Sequence, residues 1–181
     1  MQYFKKSKNI MPRDSKRNMD SIKMRTYFLI SGGSGGIGSE ICRLLVPIGI
    51  IPIVGYNSNE LYAEILAKET GGFSVKLDMS DFDSIKMAVQ TIEYKIGDDA
   101  ELAGIVLGAS SPPDLLPLTS LASNQLLSQF KINVLGSHFL ISILMKKFFR
   151  RAKKGTIIGI LTQAISNENK MPATGMGSYV I

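Results

Sequence analysis

Five short apolar runs that alternate with longer stretches of helical spacing restrict the folds open to this 181-residue chain. The predicted strands are at 27–31, 50–55, 73–78, 102–108 and 155–162, and the predicted helices at 37–45, 58–69, about 80–94 and about 123–151. The strand runs are apolar on both faces, which is typical of a parallel sheet that helices cover on each side. The pattern therefore predicts a doubly wound α/β fold with right-handed crossovers.

The spacing within the predicted helices indicates which side chains face the sheet. The first helix places Ile37, Ile41, Leu44 and Leu45 on one face, and the second places Leu61, Ile65 and Leu66 on one side. Ser80 is predicted to cap the third helix, because a serine hydroxyl accepts a backbone N–H bond at such a position. Cys42 lies among apolar residues and is predicted to be a small core side chain.

The net charge of +6 comes from the first 25 residues. The chain has 21 basic and 15 acidic residues, of which residues 1–25 hold eight and two, so 13 of each remain and cancel. The body therefore has no bulk positive charge to attract nucleic acid. Residues 1–25 are polar and patternless, which predicts a disordered basic tail before a domain at 26–181. An organelle-targeting peptide or an arm for an anionic surface is the alternative interpretation of the tail.

The remaining composition predicts a cytoplasmic protein without a metal site or membrane contact. Cys42 is the single cysteine, which excludes an internal disulfide and fits a reducing compartment. The longest uncharged apolar run, Ile132 to Met145, is too short to cross a bilayer and is predicted to be a buried helix. His138 lies in that run without a second histidine or a cysteine cluster, so a core or interface position is predicted for it.

A glycine cluster, S-G-G-S-G-G-I-G at 31–38, joins the first predicted strand to the first predicted helix. Two registers fit it: Gly33, Gly35 and Gly38 as G-x-G-x-x-G, or Gly32, Gly36 and Gly38 as G-x-x-x-G-x-G. Glycines here allow a tight turn and let the backbone approach a pyrophosphate, which the N–H groups at the helix start bind. The strand–loop–helix context predicts a dinucleotide site in a Rossmann-type domain.

Four landmarks in order resemble the short-chain dehydrogenase/reductase family. The glycine cluster resembles T-G-x-x-x-G-I-G with Ser31 in place of threonine, and L-D-M-S at 77–80 resembles the aspartate motif after the third strand. F-K-I-N-V-L-G at 130–136 resembles the long-helix motif, and Tyr179 stands where the family's Y-x-x-x-K begins. The resemblance covers residues 26–181. Within the family, the chain is similar to 3-oxoacyl-carrier-protein reductases.

This resemblance implies a nicotinamide dinucleotide cofactor and a set of residues that contact it. They lie after the first four strands and are Gly32, Ser34, Gly36, Ile37, Gly38, Tyr56, Asn57, Ser58, Asp78, Met79 and Ala109. Asp78 is implied to contact the adenine.

The end of the second strand, V-G-Y-N-S-N at 54–59, favours NADP over NAD. An acid about twenty residues past the glycines binds the ribose 2′-OH of NAD, and no acid appears here before Glu60. Tyr56, Asn57 and Ser58 offer neutral donors to a 2′-phosphate. No arginine accompanies them, so NAD is the alternative cofactor.

The resemblance also implies reduction of a ketone or 3-oxoacyl carbonyl by hydride transfer, or oxidation of the alcohol, on a small-molecule or carrier-bound substrate. Tyr179 is then the proton donor, and a lysine four residues on lowers its pKa. Asn133 supports the proton relay. For the hydroxyl that binds the substrate oxygen, Thr162 at the predicted strand end is favoured over Ser166, which has the more usual spacing to Tyr179.

Two departures from the family pattern affect these expectations. L-G-A-S at 107–110 stands where relatives commonly show N-N-A-G, so Ala109 is kept but the asparagine that braces the central strand is not. The lysine would fall two residues beyond Ile181, so the chain is expected to be truncated before the later strands and helices and to have little or no turnover. The family's pairing through the long helix implies a homo-oligomer for the full-length form. A non-catalytic dinucleotide-binding module or an inactive truncated relative is the alternative function.

Overall fold

The computed structural model describes residues 24–111, 118–120 and 122–161, which form a parallel sheet with helices on both faces. Its strands are β1 Arg25–Ser31, β2 Ile50–Tyr56, β3 Phe73–Lys76, β4 Ala100–Leu107 and β5 Thr156–Gly159. Its helices are α1 Gly36–Leu45, α2 Glu60–Glu69, α3 Phe82–Ile96 and α4 Ser123–Ala152, with short 3₁₀ turns at Val46–Ile48 and Leu118–Ser120.

The strands follow the order β3-β2-β1-β4-β5, and every neighbouring pair is parallel. The chain starts in the middle of the sheet, builds outward to β3, and then returns to the other side of β1 with β4. A doubly wound sheet has its ligand crevice at this reversal, outside the carboxyl ends of β1 and β4. The predicted fold class is confirmed, and the predicted strands differ from the observed ones only at their ends.

Consecutive residues of the central strands face opposite layers of the core. Leu29 of β1 and Ile105 of β4 pack in the layer formed with α3 and α4. Ile30 and Val106, the next residue of each strand, pack in the layer formed with α1 and α2. Because both faces are covered, successive positions all favour apolar side chains, which explains the continuous apolar runs.

The helices α1 and α2 face the sheet only in part with the side chains predicted: Ile41, Leu45 and Leu66 pack on the core as predicted. They bury mainly small residues: Gly38, Ser39 and Cys42 in α1, and Ala63, Leu66 and Ala67 in α2. The predicted faces were wrong for four large side chains that are exposed: Ile37, Leu44, Leu61 and Ile65. Small side chains let a helix backbone lie close to the sheet, so close packing selects the buried face together with hydrophobicity.

Cys42 occupies the core position predicted for it. Its side chain is fully buried in the layer between α1, α2 and the sheet. Burial raises the pKa of the thiol to about 12, so it stays protonated at neutral pH. It therefore acts as a small apolar side chain.

The N-terminus of α3 is capped by Asp81 and not by the predicted Ser80. The Asp81 carboxylate accepts the backbone N–H of Asp83 at 2.9 Å. Ser80 instead donates its hydroxyl to Asp78 Oδ1 at 2.7 Å. A carboxylate also complements the positive end of the helix dipole, so the acid is the better cap.

Helix α4 is 30 residues long and contains two π-helical stretches, Lys131–Gly136 and Met145–Phe149. It packs on the sheet through Leu140, Leu144 and Phe149. Stretches of π-helix inside a longer helix are rare and occur frequently at functional sites. The first of them contains the predicted relay residue.

By length and composition, α4 also meets the criteria for a membrane span, the one helix among the described residues that does. The shortness of the run Ile132 to Met145 is therefore no longer an argument against a span. A single helix of this kind is weak evidence for a span. Only 22% of its 18-residue apolar window is buried, so the prediction that Ile132 to Met145 forms a buried helix is wrong. The absence of membrane contact stays a prediction.

Candidate functional site

The carboxyl ends of four parallel strands meet at one edge of the sheet. They are Ser31 of β1, Tyr56 of β2, Lys76 of β3 and Leu107 of β4. The glycine loop, residues 32–35, leaves β1 in the middle of this edge and enters α1. The residues predicted to contact a cofactor follow these strands, so the fold brings them to the same side of the molecule.

Backbone hydrogen bonds hold the glycine loop against β2. The N–H of Gly33 donates to the carbonyl oxygens of Ile30 at 3.1 Å and Gly55 at 2.8 Å. The N–H of Gly35 donates to the carbonyl oxygen of Gly32 at 2.9 Å and closes the turn. α1 then begins without a side-chain cap, so the N–H groups of its first turn lack intrahelical partners. A helix start of this kind binds phosphate.

Two glycines of the cluster are required by the fold, and a third leaves space beside the helix start. Gly32 has a φ of 69°, and a Cβ there would lie 2.9 Å from the backbone N of Ala109. A Cβ on Gly38 would lie 2.2 Å from the carbonyl oxygen of Gly32. A Cβ on Gly36, by contrast, would meet no atom within 4 Å. This open space at the start of α1 fits a pyrophosphate that approaches the backbone closely.

The hydroxyl of Ser31 joins the ends of β1 and β4. It accepts the backbone N–H groups of Gly108 at 3.1 Å and Ala109 at 3.3 Å, and it donates to the carbonyl oxygen of Val106 at 3.3 Å. The side chain is buried. This role was not predicted from the sequence, although a hydroxyl residue at the end of a central strand is a signal for it. In relatives an asparagine braces the central strand, and the segment 107–110, L-G-A-S, lacks it. Here the hydroxyl of Ser31 connects the ends of the two strands instead.

At the end of β2, an intramolecular bond occupies the hydroxyl of Tyr56. It donates to Glu60 Oε1 at 2.6 Å. That bond, together with burial of the ring, raises the pKa of Tyr56 to about 12. Tyr56 was predicted as a donor to a 2′-phosphate, and the structure directs its hydroxyl to Glu60 instead. Asn57 and Ser58 follow it and are exposed.

The adjacent end of β3 places a cation beside Asn57. Lys76 pairs with Tyr56 across the sheet, and its ammonium donates to the carbonyl oxygen of Asn57 and, at 3.0 Å, to Asn57 Oδ1. Lys76 was not predicted as a site residue, because it lies 19 residues after Asn57 and only the strand register brings the two together. The signal available was its position as a charged residue within the run predicted as the third strand.

The loop after β3 fixes Asp78 and packs Met79 against α4. Asp78 Oδ1 accepts the backbone N–H of Ser80 at 2.8 Å and its hydroxyl at 2.7 Å, and the N–H of Asp78 donates to Ser84 Oγ at 3.0 Å. Met79 is buried, and a Cβ on Gly136 would lie 2.1 Å from its carbonyl oxygen. The loop is therefore held on two sides, as a segment that positions a ligand base requires.

Asn133 lies in the first π-helical stretch of α4. Its Nδ2 donates to Gln129 Oε1 at 3.2 Å, while its Oδ1 is buried and has no hydrogen-bond partner among the described residues. An unpaired buried acceptor costs about 1–3 kcal/mol, so this oxygen marks a place where a donor is expected. The predicted Tyr179, Thr162 and Ser166 lie outside the described residues.

The structure also bears on the single histidine. His138 is exposed on α4, so the core position predicted for it is wrong and the interface alternative is open. The part of the chain that the structure describes contains no group of three or more potential metal ligands. The absence of a metal site stays a prediction.

The strand order, the glycine loop at the reversal and the uncapped start of α1 define an α/β protein of the dinucleotide-binding class. The chain belongs to the short-chain dehydrogenase family, whose model matches residues 26–180. The resemblance predicted from four sequence landmarks is confirmed.

Individual relatives agree with this assignment. The acetoacetyl-CoA reductase of Paracoccus denitrificans is 32% identical over 89 residues, which span 48% of this chain and 37% of that protein. A solved 3-ketoacyl-(acyl-carrier-protein) reductase from Brucella melitensis, complexed with NADH, matches with a TM-score of 0.75 at 17% identity, over 86% of this chain and 62% of its own. A solved short chain dehydrogenase/reductase family protein matches with a TM-score of 0.70 at 23% identity, over 86% and 61%. The matches thus span less than two thirds of these relatives, and the two structures establish the fold alone.

Proposed function

We propose that the chain is part of an NAD(P)-dependent oxidoreductase that reduces a ketone or 3-oxoacyl carbonyl, or oxidises the corresponding alcohol. Membership of the short-chain dehydrogenase family supports the reaction class. The observation that carries the proposal is the loop between β1 and α1. Close contacts enforce Gly32 and Gly38 there, while the space beside Gly36 is open to a ligand.

The chain's own residues would hold the dinucleotide along the carboxyl edge of the sheet. The N–H groups at the start of α1 bind the pyrophosphate, Asp78 contacts the adenine, and the segment 56–58 faces the adenosine ribose. The bound nicotinamide supplies or accepts the hydride. The NADH of the Brucella melitensis structure supports a nicotinamide dinucleotide. Asn57 and Ser58 stand where an acid would bind the ribose 2′-OH of NAD, and these neutral residues favour NADP.

We assign proton transfer and stabilisation of the substrate oxygen to three side chains. Tyr179 donates its hydroxyl proton to the substrate carbonyl oxygen as that oxygen gains charge. Thr162, with Ser166 as the alternative, donates a hydrogen bond to the same oxygen. Asn133 supports the return of a proton to Tyr179, and its unpaired buried Oδ1 supports that role because it has the capacity to accept a hydrogen bond.

The relatives favour an acyl thioester as the substrate class. One is named for acetoacetyl-CoA and another for a 3-ketoacyl group on acyl-carrier protein. We therefore propose a 3-oxoacyl thioester of coenzyme A or of a carrier protein as the substrate. With it we propose a cytoplasmic homo-oligomer that binds neither nucleic acid nor membrane.

A non-catalytic dinucleotide-binding module is the second candidate, and the open glycine loop supports it equally well. Cofactor binding is common to both candidates. Oxidation of NADPH by acetoacetyl-CoA would single out the enzyme, whereas binding alone is sufficient for the module.

The experiment that tests the proposal fills the space at the start of α1. We expect the chain to bind NADPH or NADH, and Gly36→Val to weaken that binding by about 10-fold or more, because the added side chain occupies the open space. Titration of the nicotinamide fluorescence measures both dissociation constants. Leu44→Val, an exposed position at the far end of α1, is the matched control and should change them by less than about 2-fold. If the unaltered chain bound neither cofactor, the proposal would be wrong.

A further inference from the structure

The end of β2 carries a fixed positive charge that belongs to the neighbouring strand. Lys76 is the last residue of β3 and is exposed. Its ammonium donates to two oxygens of Asn57, the backbone carbonyl and the side-chain Oδ1. It also lies 5.9 Å from the centre of the Tyr56 ring. These contacts hold the ammonium at the point where the chain leaves β2.

The partners of the Lys76 ammonium are neutral groups. Among the residues that the structure describes, four other basic side chains form ion pairs with carboxylates: Arg43, Lys86, Lys147 and Lys154. Within the described ranges no carboxylate forms an ion pair with Lys76. Its full positive charge is therefore available to an anion that approaches the edge of the sheet.

The acid closest in sequence to the end of β2 is engaged elsewhere. Glu60 accepts the hydroxyl of Tyr56 at 2.6 Å. In a dinucleotide fold, an acid here binds the ribose 2′-OH, whereas a basic side chain accommodates a 2′-phosphate. The end of β2 therefore has an ammonium bonded to Asn57 and an acid bonded to a phenol.

We propose that Lys76 supplies the cation that binds the 2′-phosphate of NADP, and that Asn57 positions it. This inference rests on the proposed dinucleotide function. An ammonium and a phosphate form charge-assisted hydrogen bonds, which are the strong ones. Because Asn57 Oδ1 accepts from Lys76, the amide Nδ2 of Asn57 is the group left to donate to the same phosphate. Tyr56 acts indirectly by holding Glu60.

The test compares NADPH with NADH in Lys76→Gln. Loss of the ammonium removes a hydrogen bond to a charged group, so the dissociation constant for NADPH should rise about 10- to 100-fold. NADH lacks the 2′-phosphate, and its dissociation constant should change by less than about 2-fold. Lys76→Arg keeps the charge and should retain most of the affinity for NADPH.

Lys68→Gln is the matched control, because it removes the same charge at a different place. Lys68 lies in the last turn of α2, whereas the proposed phosphate site lies before the first turn of that helix. This substitution should leave both dissociation constants unchanged, and circular dichroism verifies that each variant is folded. A second measurement uses the unaltered protein. Raising the salt concentration should weaken NADPH more than NADH, because an exposed charge contact is screened.

The outcomes separate this inference from the proposed function. A selective loss of NADPH affinity in Lys76→Gln, with NADH unchanged, supports the assignment. An equal loss of both cofactors, or tighter binding of NADH than of NADPH by the unaltered protein, overturns it and leaves the dinucleotide site intact. Binding of neither cofactor by the unaltered protein overturns both proposals.

Discussion

At the scale of single residues, the bond between Tyr56 and Glu60 links the end of β2 to the start of α2. The ring is buried, and its hydroxyl donates to the carboxylate of Glu60 at 2.6 Å. A hydrogen bond to a carboxylate is stronger than one between neutral groups. It also keeps a negative charge at the first turn of α2, where the helix dipole favours it. The bond therefore stabilises both the fold and the edge on which Lys76 lies.

We expect Tyr56→Phe to lower the free energy of unfolding by about 1–3 kcal/mol at neutral pH, because Glu60 loses its donor. The folded-state pKa of Tyr56 is about 12 and its ordinary value is 10.0, so the protonated phenol stabilises the fold fully below pH 10.0. That contribution is lost as the pH rises through about 12. Urea unfolding of both proteins at about pH 8 and about pH 11.5 measures the difference. Tyr94→Phe, at an exposed position, is the control, and a difference that did not shrink at high pH would contradict the bond.

At the scale of elements, α4 touches the loop after β3 at Gly136. A Cβ at this position would lie 2.1 Å from the carbonyl oxygen of Met79. Gly136 ends the first π-helical stretch, three residues after Asn133. The contact therefore sets the distance between the relay residue on α4 and the segment of Asp78 that is proposed to contact adenine.

We expect Gly136→Ala to lower the free energy of unfolding by about 1–3 kcal/mol, because the methyl group meets a backbone atom that has no rotamer to change. The sign of the change in unfolding free energy is informative, since a Gly→Ala substitution in an open helix stabilises the helix by about 0.5–1 kcal/mol. Urea unfolding measures the loss, and Ser137→Ala at the next position of α4 is the control. A variant more stable than the unaltered protein would show that α4 and the loop do not approach this closely.

The sequence predicted the elements better than the contacts between them. β1 and β2 were recognisable because burial on both faces makes their residues continuously apolar. The predicted face of α1 was wrong for Ile37 and Leu44, because the helix turns Cys42 to the sheet and leaves the larger Leu44 exposed. The bonds of Lys76 and Ser31 join positions 19 and up to 78 residues apart. Such pairs depend on strand order and register, which local periodicity does not contain.

At the scale of the whole molecule, the excess charge and the proposed cofactor contacts occupy separate parts of the chain. Residues 1–25 carry the entire net charge, and residues 26–181 are neutral overall. The proposed dinucleotide contacts all lie between Gly32 and Ala109, at or just after the carboxyl ends of strands that the two buried layers of the core hold in place. We therefore expect cofactor binding to depend on local charges such as that of Lys76, and not on the overall charge of the protein.

We expect removal of residues 1–23, which leaves Met24 as the first residue, to change the affinity for NADPH by less than about 2-fold, because the segment contains none of the proposed contacts. The same deletion should abolish any salt-sensitive binding to anionic vesicles, since it removes seven of the eight basic residues in 1–25. Fluorescence titration and vesicle co-sedimentation measure the two effects. A variant of the 181-residue chain that keeps residues 1–23, with those seven basic residues changed to Gln, is the control that separates charge from the presence of the segment. A large loss of NADPH affinity on deletion would show that the tail takes part in the site, and vesicle binding that survived it would locate a basic surface in the body.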